Sequence, residues 1–522
     1  MAEELPLNIS AKNRYSTMEV DRTGFLTRAR ECALLTIPAI MPPQGFSATS
    51  KLPTPYQSLG ARGIRTLASK LLLSLYPGIP FYNYKIDDLT LTKLGSKKGE
   101  MDIALAARER SVTHELDTSV FRPAIFVGLL QLIATGNVGV YIPPKQENRA
   151  QVFRLDQYVT RRDAAGKLLE WVIMETTELT ALAPEHRVQL QAVTPDAEKL
   201  DLEKKPVELF THGYWNHINQ KWEVYQEAKG IRLAGTDSTF NEGDMPYLFL
   251  RFATQPGEHY GRSYVEEYLG DLDSLEALSE LLVEGSAASG RVVFMVNPSG
   301  VTSIKVVAKA KTGDVVSGDA NDVTVMQVQK QADLQVAKAQ AEEIANRLSY
   351  AFLLHSSVQR QGERVTAEEI RFMASELDDG LGGVYTLLAA DLQLPSVRLF
   401  EIRMEKRLGV QKLPSDLVKP TIVTGLEAIG RGHNQANLRA FVNEIIQILG
   451  PELALEYINP AELISRAASS YSIPTEGLMF TPEERQANAE QKQQMEMLKT
   501  LGPQAVNAAG GMGKQAMQQP AS

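Results

Sequence analysis

Two helix-forming stretches bracket an insert too small to fold by itself. Residues 291–331 are rich in valine (Val292, Val293, Val296, Val306, Val307, Val315, Val316, Val323, Val325 and Val328). Turn residues at Asn297-Pro298-Ser299-Gly300, Thr312-Gly313-Asp314 and Gly318-Asp319 divide them, which predicts three or four short strands. A unit of about forty residues buries little core alone, so it must gain stability from copies of itself or from a partner. Before it, the chain has no Lys or Arg between Arg262 and Arg291, while Glu266, Glu267, Asp271, Asp273, Glu276, Glu280 and Glu284 all fall there. Asp273, Glu276, Glu280 and Glu284 follow one another at intervals of three, four and four, which stacks them on one helical face. Like charges so spaced oppose an isolated helix by roughly 0.2–0.5 kcal/mol per pair, so something else favours the arrangement. Two readings stand: a solvated acidic face, or a surface that must not hold polyanions.

The run Gly285-Ser286-Ala287-Ala288-Ser289-Gly290 ends that helix in small residues that permit close backbone approach. After the insert, helix resumes near Asp333, with Val336, Ile344, Leu348, Phe352 and His355 at helical intervals. Residues 356–365 interrupt it with Arg360-Gln361-Gly362-Glu363-Arg364. Thr366-Ala367-Glu368-Glu369 then matches a capping box, opening a helix whose Ile370, Met373, Leu377, Leu381, Val384, Leu388 and Leu392 share one face and which ends before Pro395. Gly380, Gly382 and Gly383 inside it predict a bend. Short helices follow at 397–408, 434–449 and 460–470, and the Gln-, Ala- and Met-rich tail from 487 reads as mostly disordered.

The first third is helical with Pro-rich breaks. One helix spans 57–76, with Arg62, Arg65 and Lys70 on or near its solvated side. Another covers roughly 101–135, is perturbed at Pro123 and closed by Gly136, and a strand follows at 138–142. Residues 151–252 read as an antiparallel meander with turns at Asp163-Ala164-Ala165-Gly166 and Asn216-His217-Ile218-Asn219. Its Tyr214, Trp215, Trp222 and Tyr225 are expected to form a packed sheet face, because the interleaved basic residues of a single-strand reader are sparse.

Composition sets limits. At 522 residues the chain is long for one core; 43% apolar and 22% charged residues are ordinary globular chemistry. A net charge of −9 means that attraction to phosphate cannot come from bulk charge. The lone Cys32 excludes a disulfide scaffold and a Cys-based zinc cluster, and fits a reducing compartment. The first ten residues lack the apolar run of a signal peptide, and the apolar stretch 124–134 is too short to cross a bilayer, so no membrane is expected.

Catalytic motifs fail one by one. Gly513-Lys514 has Ala508 and Gln515 where a phosphate-cradling loop needs glycine and a hydroxyl. Gly380-Leu381-Gly382-Gly383 has Tyr385 in place of the third dinucleotide-fingerprint glycine. Gly261-Arg262-Ser263-Tyr264-Val265 lacks the closing glycine of a nucleophile elbow. His212 and His217 read as a surface hairpin pair, and His114-Glu115 has no second histidine four residues on. The expectation is no catalytic residue, no metal and no cofactor.

The order of parts nonetheless resembles a family. Gly60-Ala61-Arg62-Gly63 with Leu67-Ala68-Ser69-Lys70-Leu71 carries the likeness, as do Tyr260-Gly261-Arg262-Ser263-Tyr264 and Glu266-Glu267-Tyr268-Leu269-Gly270-Asp271-Leu272. So do Gly362-Glu363-Arg364-Val365-Thr366-Ala367-Glu368-Glu369-Ile370, Leu381-Gly382-Gly383-Val384-Tyr385 and Thr424-Gly425-Leu426-Glu427-Ala428-Ile429-Gly430-Arg431-Gly432. Spread over about residues 22–480, these blocks resemble the portal, or head-to-tail connector, proteins of autographivirus-type short-tailed podophages. The resemblance implies an α+β, predominantly helical portal fold assembled as a ring, in wing, stem, clip and crown. By that likeness residues 1–261 are the N-terminal wing, 262–290 the descending stem helix, 291–331 the β-rich clip and 332–355 the ascending stem helix. Residues 356–365 are the tunnel loop, 366–394 a long wing helix, 395–480 the crown and 481–522 a flexible tail.

The resemblance further implies a homododecamer at one capsid vertex of the virion, made in the host cytoplasm, passing double-stranded DNA without sequence preference. Implied partners are the terminase large subunit, scaffolding and major capsid proteins, tail adaptor and nozzle proteins, and internal core proteins. Arg360, Gln361, Gly362 and Arg364 fall in the tunnel loop, while Asp273, Glu276, Glu280 and Glu284 belong to the acidic stem. Physical chemistry fits a conduit. Each neutralised phosphate adds about −0.9 to the salt slope of log K, so a ring gripping with one Arg from each of about twelve chains would hold duplex too firmly to slide. Arg360 and Arg364 are therefore expected to form a movable gate, with Gly362 as its pivot, or else an intersubunit salt bridge with Glu363 or Glu368. Competing readings are another virion ring, such as a tail adaptor, and a nucleic-acid-processing enzyme.

Overall fold

The computed structural model describes residues 10–47, 49–77, 81–82, 84, 98–144, 149–195, 205–289, 293–326, 331–354, 376–377, 380–381, 383–408 and 431–450, with single positions or pairs at 453–454, 457–458, 460, 463–464 and 491. Contacts divide the chain into two units, Met1–Leu91 with Glu109–Gly430, and Thr92–Arg108 with Arg431–Ser522. Helices and sheets are mixed.

The first unit opens with α1 (Ala11–Leu34) and α2 (Leu59–Leu75), followed by α3 (Lys98–Thr118), whose first turns belong to the second unit, and α4 (Phe121–Thr135). Strands β1 (Asn137–Tyr141), β2 (Gln151–Phe153), β3 (Tyr158–Arg162) and β4 (Leu168–Thr177) precede α5 (Pro184–Val193). Then come β5 (Val207–Asn216), β6 (Lys221–Ala228), β7 (Ile231–Arg232), β8 (Ser238–Phe240) and β9 (Tyr247–Arg251). Helices α6 (Tyr264–Glu267) and α7 (Leu269–Ser289) lead into β10 (Val293–Val296), α8 (Ile304–Lys309), β11 (Val323–Met326) and α9 (Gln331–Ala351). The unit closes with α10 (Val384–Leu388), a π-helical turn (Ala389–Gln393) and α11 (Leu394–Leu408). In the second unit α12 spans Arg431–Leu449.

Strands β3 to β7 pair antiparallel in chain order, with β8 also on β6, as a meander requires. The expected meander is not continuous, however. Strands β2 and β9 leave it to flank β1 in a separate three-stranded sheet, and α5 interrupts it. Side chains alternate across the larger sheet. Trp171, Ile173, Trp215, Trp222 and Val224 join one core with Ala29 and Ala33 of α1, whereas Val172, Phe210 and Tyr225 join another with Ala11, Tyr15 and Met18. The four aromatics read as one packed face therefore split between two: Trp215 pairs Trp222 on one side, and Tyr225 lies with Tyr214 on the other. Helix α1 crosses between these cores, and at the crossing buried Arg22 donates to the carbonyls of Leu155 and Tyr158. His212 is also not a surface residue: it is buried within hydrogen-bond distance of Glu170 and Tyr225, while His217 occupies the turn.

Two helix boundaries also differ from expectation. The stretch 101–135 breaks at Ser119-Val120, with a 72° bend, and Pro123 lies inside the first turn of α4. There its missing N–H costs no intrahelical bond. Pro395 does not end a helix either. A π-helical turn immediately precedes it and α11 continues through it, buried by Val397 and Phe400. The wider turn accommodates the proline ring without ending the helical path. Gly383, one of the glycines at which a bend is expected, has φ +88° and sits at the N-cap of α10.

Among the described residues no single helix is long and apolar enough to cross a membrane.

Candidate functional site: the acidic helix pair and its root

Asparagine 137 sets where the acidic helix begins. Its side-chain amide donates to Gly261 O and accepts from Gly261 N, both at 2.7 Å. Gly136 beside it, at φ +75°, leaves room for the Arg262 backbone, which a Cβ would meet at 2.5 Å. Ser263 then caps α6, accepting from Glu266 N while its hydroxyl donates to Ile133 O. Glu266 itself pairs with Arg28 and Arg262.

From this root α7 and α9 run antiparallel. Arg347 meets Asp271 at 3.1 Å near the root, and Leu334 packs over Gly285 toward the far end. Leu272 and Leu275 of α7 face inward, as do Ala337, Ala341 and Leu348 of α9. Alanines at those positions allow the helices to approach closely. Two strands close the far end, with β10 and β11 in antiparallel register from Val293↔Met326 to Val296↔Val323.

The insert departs from its expected three or four strands. Among the described residues it has two, and Val306 and Val307 lie in α8, none of whose residues is buried. Valine favours a strand chiefly because it suits a pleated, half-buried surface, and no third partner offers one here. The loop is held by polar contacts instead: Asp322 accepts from the backbone of Val301 and Thr302 and from the Thr302 hydroxyl.

The four aligned acids have unequal surroundings. Asp273, Glu280 and Glu284 are exposed. Glu276 is half-buried, and its carboxylate accepts from Tyr56 N at 2.8 Å and Gln57 N at 3.1 Å, anchoring the chain just before α2. No spacing rule could reveal that contact, because its partners lie 220 and 219 residues away. Arg360, Gln361, Gly362 and Arg364 lie outside the described residues, as does the Thr366 capping box. Helix α2, read as presenting Lys70 to solvent, buries it.

No group of three or more His, Cys, Asp or Glu able to hold a metal occurs among the described residues. What the site offers is shape: an antiparallel helix pair carrying acids on one flank and a small exposed head at its tip.

The model of the bacteriophage head to tail connecting protein family matches residues 9–479. The chain belongs to this family. Among similar head-to-tail connecting proteins, the portal protein of Escherichia phage T7 is 39% identical, over 98% of this chain and 95% of its own. That of Enterobacteria phage T3 is 39% identical over 96% and 93%, and that of Pseudomonas phage phiKMV 30% identical over 90% and 91%. Among solved structures, a chain from the neck of an empty gene transfer agent particle computed with C6 symmetry aligns at TM-score 0.35 and 13% identity, covering 79% of this chain and 89% of that one. As a head-to-tail connecting protein the chain is structural, a portal protein homologue and not an enzyme.

Proposed function

We propose that twelve copies form a ring at one capsid vertex of the virion, and that double-stranded DNA enters and later leaves through its bore. Residues 262–290 and 332–355 are the stem helices, 291–331 the clip, 356–365 the tunnel loop and 481–522 a tail. The wing comprises 1–261 and the helix from 366. The crown is 395–480, and its first helix packs against the wing, with Phe400 on Phe121 and Ser396 on Tyr76. The observation that carries this reading is the acidic helix without Lys or Arg, projecting beside a head too small to stand alone. Exposed Asp273, Glu280 and Glu284 keep a passing polyanion from adhering, while Arg360 and Arg364 of the tunnel loop touch it sparsely, with Gln361 between them and Gly362 allowing movement.

The clip serves as the face for the terminase large subunit during packaging and for tail adaptor and nozzle proteins afterwards. Scaffolding, major capsid and internal core proteins contact the remainder, and synthesis takes place in the host cytoplasm. Negative-stain images of the purified protein should show closed rings with about twelvefold symmetry. Replacing both Arg360 and Arg364 by Ala should release DNA from filled heads. Retention equal to the parent would overturn the gate, and a monomer by sedimentation would overturn the ring.

A further inference from the structure

Helix α9 ends in a Schellman motif built on the wrong residue. Phe352 N donates to Leu348 O, Leu353 N to Tyr350 O at 3.0 Å and Leu354 N to Ser349 O at 2.8 Å. Those last two bonds define the motif and place Leu353 at the left-handed position that glycine normally fills. Its φ is +54°. A bulky side chain there is disfavoured and persists only where its surroundings over-determine it.

The surroundings are specific. Lys70 of α2, 6% exposed, donates its ammonium to Leu353 O at 2.8 Å. The same ammonium meets the Glu376 carboxylate at 3.3 Å. A cation at a helix C-terminus also suits the helix dipole. The Leu353 side chain lies beside Gly380, whose missing Cβ would stand 3.5 Å from its Cδ2. One residue earlier, the Phe352 ring fits against Gly63 of α2, and Tyr264 donates to Ala351 O at 2.7 Å. Leu353 and Glu376 thus share one buried cation.

We propose that Lys70 is a positioning residue, clasping Leu353 and Glu376 so that the two ends of segment 355–375 stand at a fixed separation. The clasp sets the base from which Arg360 and Arg364 reach, and only this consequence rests on the tunnel-loop reading given above. Burying a lysine is expensive without an acceptor and a counter-charge. Two of its acceptors, Leu353 O and the Glu376 carboxylate, come from opposite ends of that segment, so both contacts are made together only while both ends are in place.

Hydrogen exchange on the assembled full-length protein tests it. Lys70→Met should raise exchange in peptides covering 350–377 by about tenfold, while peptides covering 207–228 of the meander stay within about twofold of the parent. Glu376→Gln should do the same. The double variant should exceed Lys70→Met by no more than about twofold, because without the ammonium Glu376→Gln has no ion pair left to remove. Lys70→Arg, which keeps the cation, should recover most of the protection. Unchanged exchange at 350–377 in Lys70→Met, equal loss across both regions, or additive effects in the double variant would each overturn the clasp. Sedimentation of the same samples scores ring formation separately, so failure of the ring leaves the clasp measurable.

Discussion

Glu170 is almost wholly out of solvent, at 1% side-chain exposure, yet it stays charged. Burial pushes its carboxyl pKa up, but hydrogen bonds from His212 and Arg14 outweigh that and hold it at about 2. His212 Nε2 lies 2.8 Å from Oε1 and Arg14 Nε donates to the same oxygen at 2.7 Å. Because the folded pKa is depressed, this stability is present in full above the ordinary carboxylate range and is lost as pH falls toward about 2. Glu170→Gln should therefore remove on the order of 3 kcal/mol at pH 7. Thermal unfolding at pH 7, 4 and near 2 checks it: the gap to the parent protein should shrink steadily as acid is added. A gap that persists near pH 2 would mean that shape, not charge, is what Glu170 contributes. None of this was legible beforehand. Sequence spacing set His212 beside His217, five residues on, whereas its partner stands 42 residues back on the neighbouring strand. The same blindness hid Lys70 and Glu276, whose partners are brought in by packing.

Elements were easier to read than residues, because their signals are local. The helix expected at 57–76 forms as Leu59–Leu75, the returning helix near 333 as Gln331–Ala351, and the strand at 138–142 as Asn137–Tyr141. Misreadings occurred where context departed from local preference: the α8 valines met no third strand to pair with, and Pro395 was absorbed after a π-helical turn. Packing against the acidic helix pair allows a contrast between two helical glycines. Gly63 in α2 faces the Phe352 ring, where a Cβ would stand 2.6 Å from Cγ and 3.0 Å from Cβ. That ring is fully buried and packed by Tyr264 and Tyr268. Gly285 in α7 faces only the tip of Leu334, with one methyl at 2.8 Å and the next carbons at 3.8 Å. Gly63→Ala should accordingly destabilise by about 1–3 kcal/mol, overpacking outweighing the helical gain. Gly285→Ala should be neutral or stabilise by up to about 1 kcal/mol, since a methyl can turn aside while the helix gains. Denaturant midpoints for the two variants would test the difference, and equal shifts would contradict the packing described.

At the scale of the whole molecule the governing quantity is charge where duplex DNA would pass. The chain carries −9 overall, and twelve copies would carry −108. On the proposed reading a conduit needs repulsion that is broad but weak, and Asp273, Glu280 and Glu284 would supply it from exposed positions on one helix. Glu276 differs and should be left alone. Reversing the other three to Lys would put up to 36 cations on a ring of the proposed twelve copies. Only a fraction can reach phosphate at once, yet even six new contacts would steepen the salt slope of log K by about 5. Rings of the triple variant should therefore retain linear duplex at about 50 mM salt and release it by a few hundred millimolar, whereas parent rings should retain little at either. Filter binding across that range measures the slope directly. In infected cells the same change should slow ejection rather than packaging, because a motor can work against drag that a relaxing genome cannot. If the triple variant bound no more DNA than the parent, these acids would face away from the bore, and the face opposite them would be the one that DNA meets.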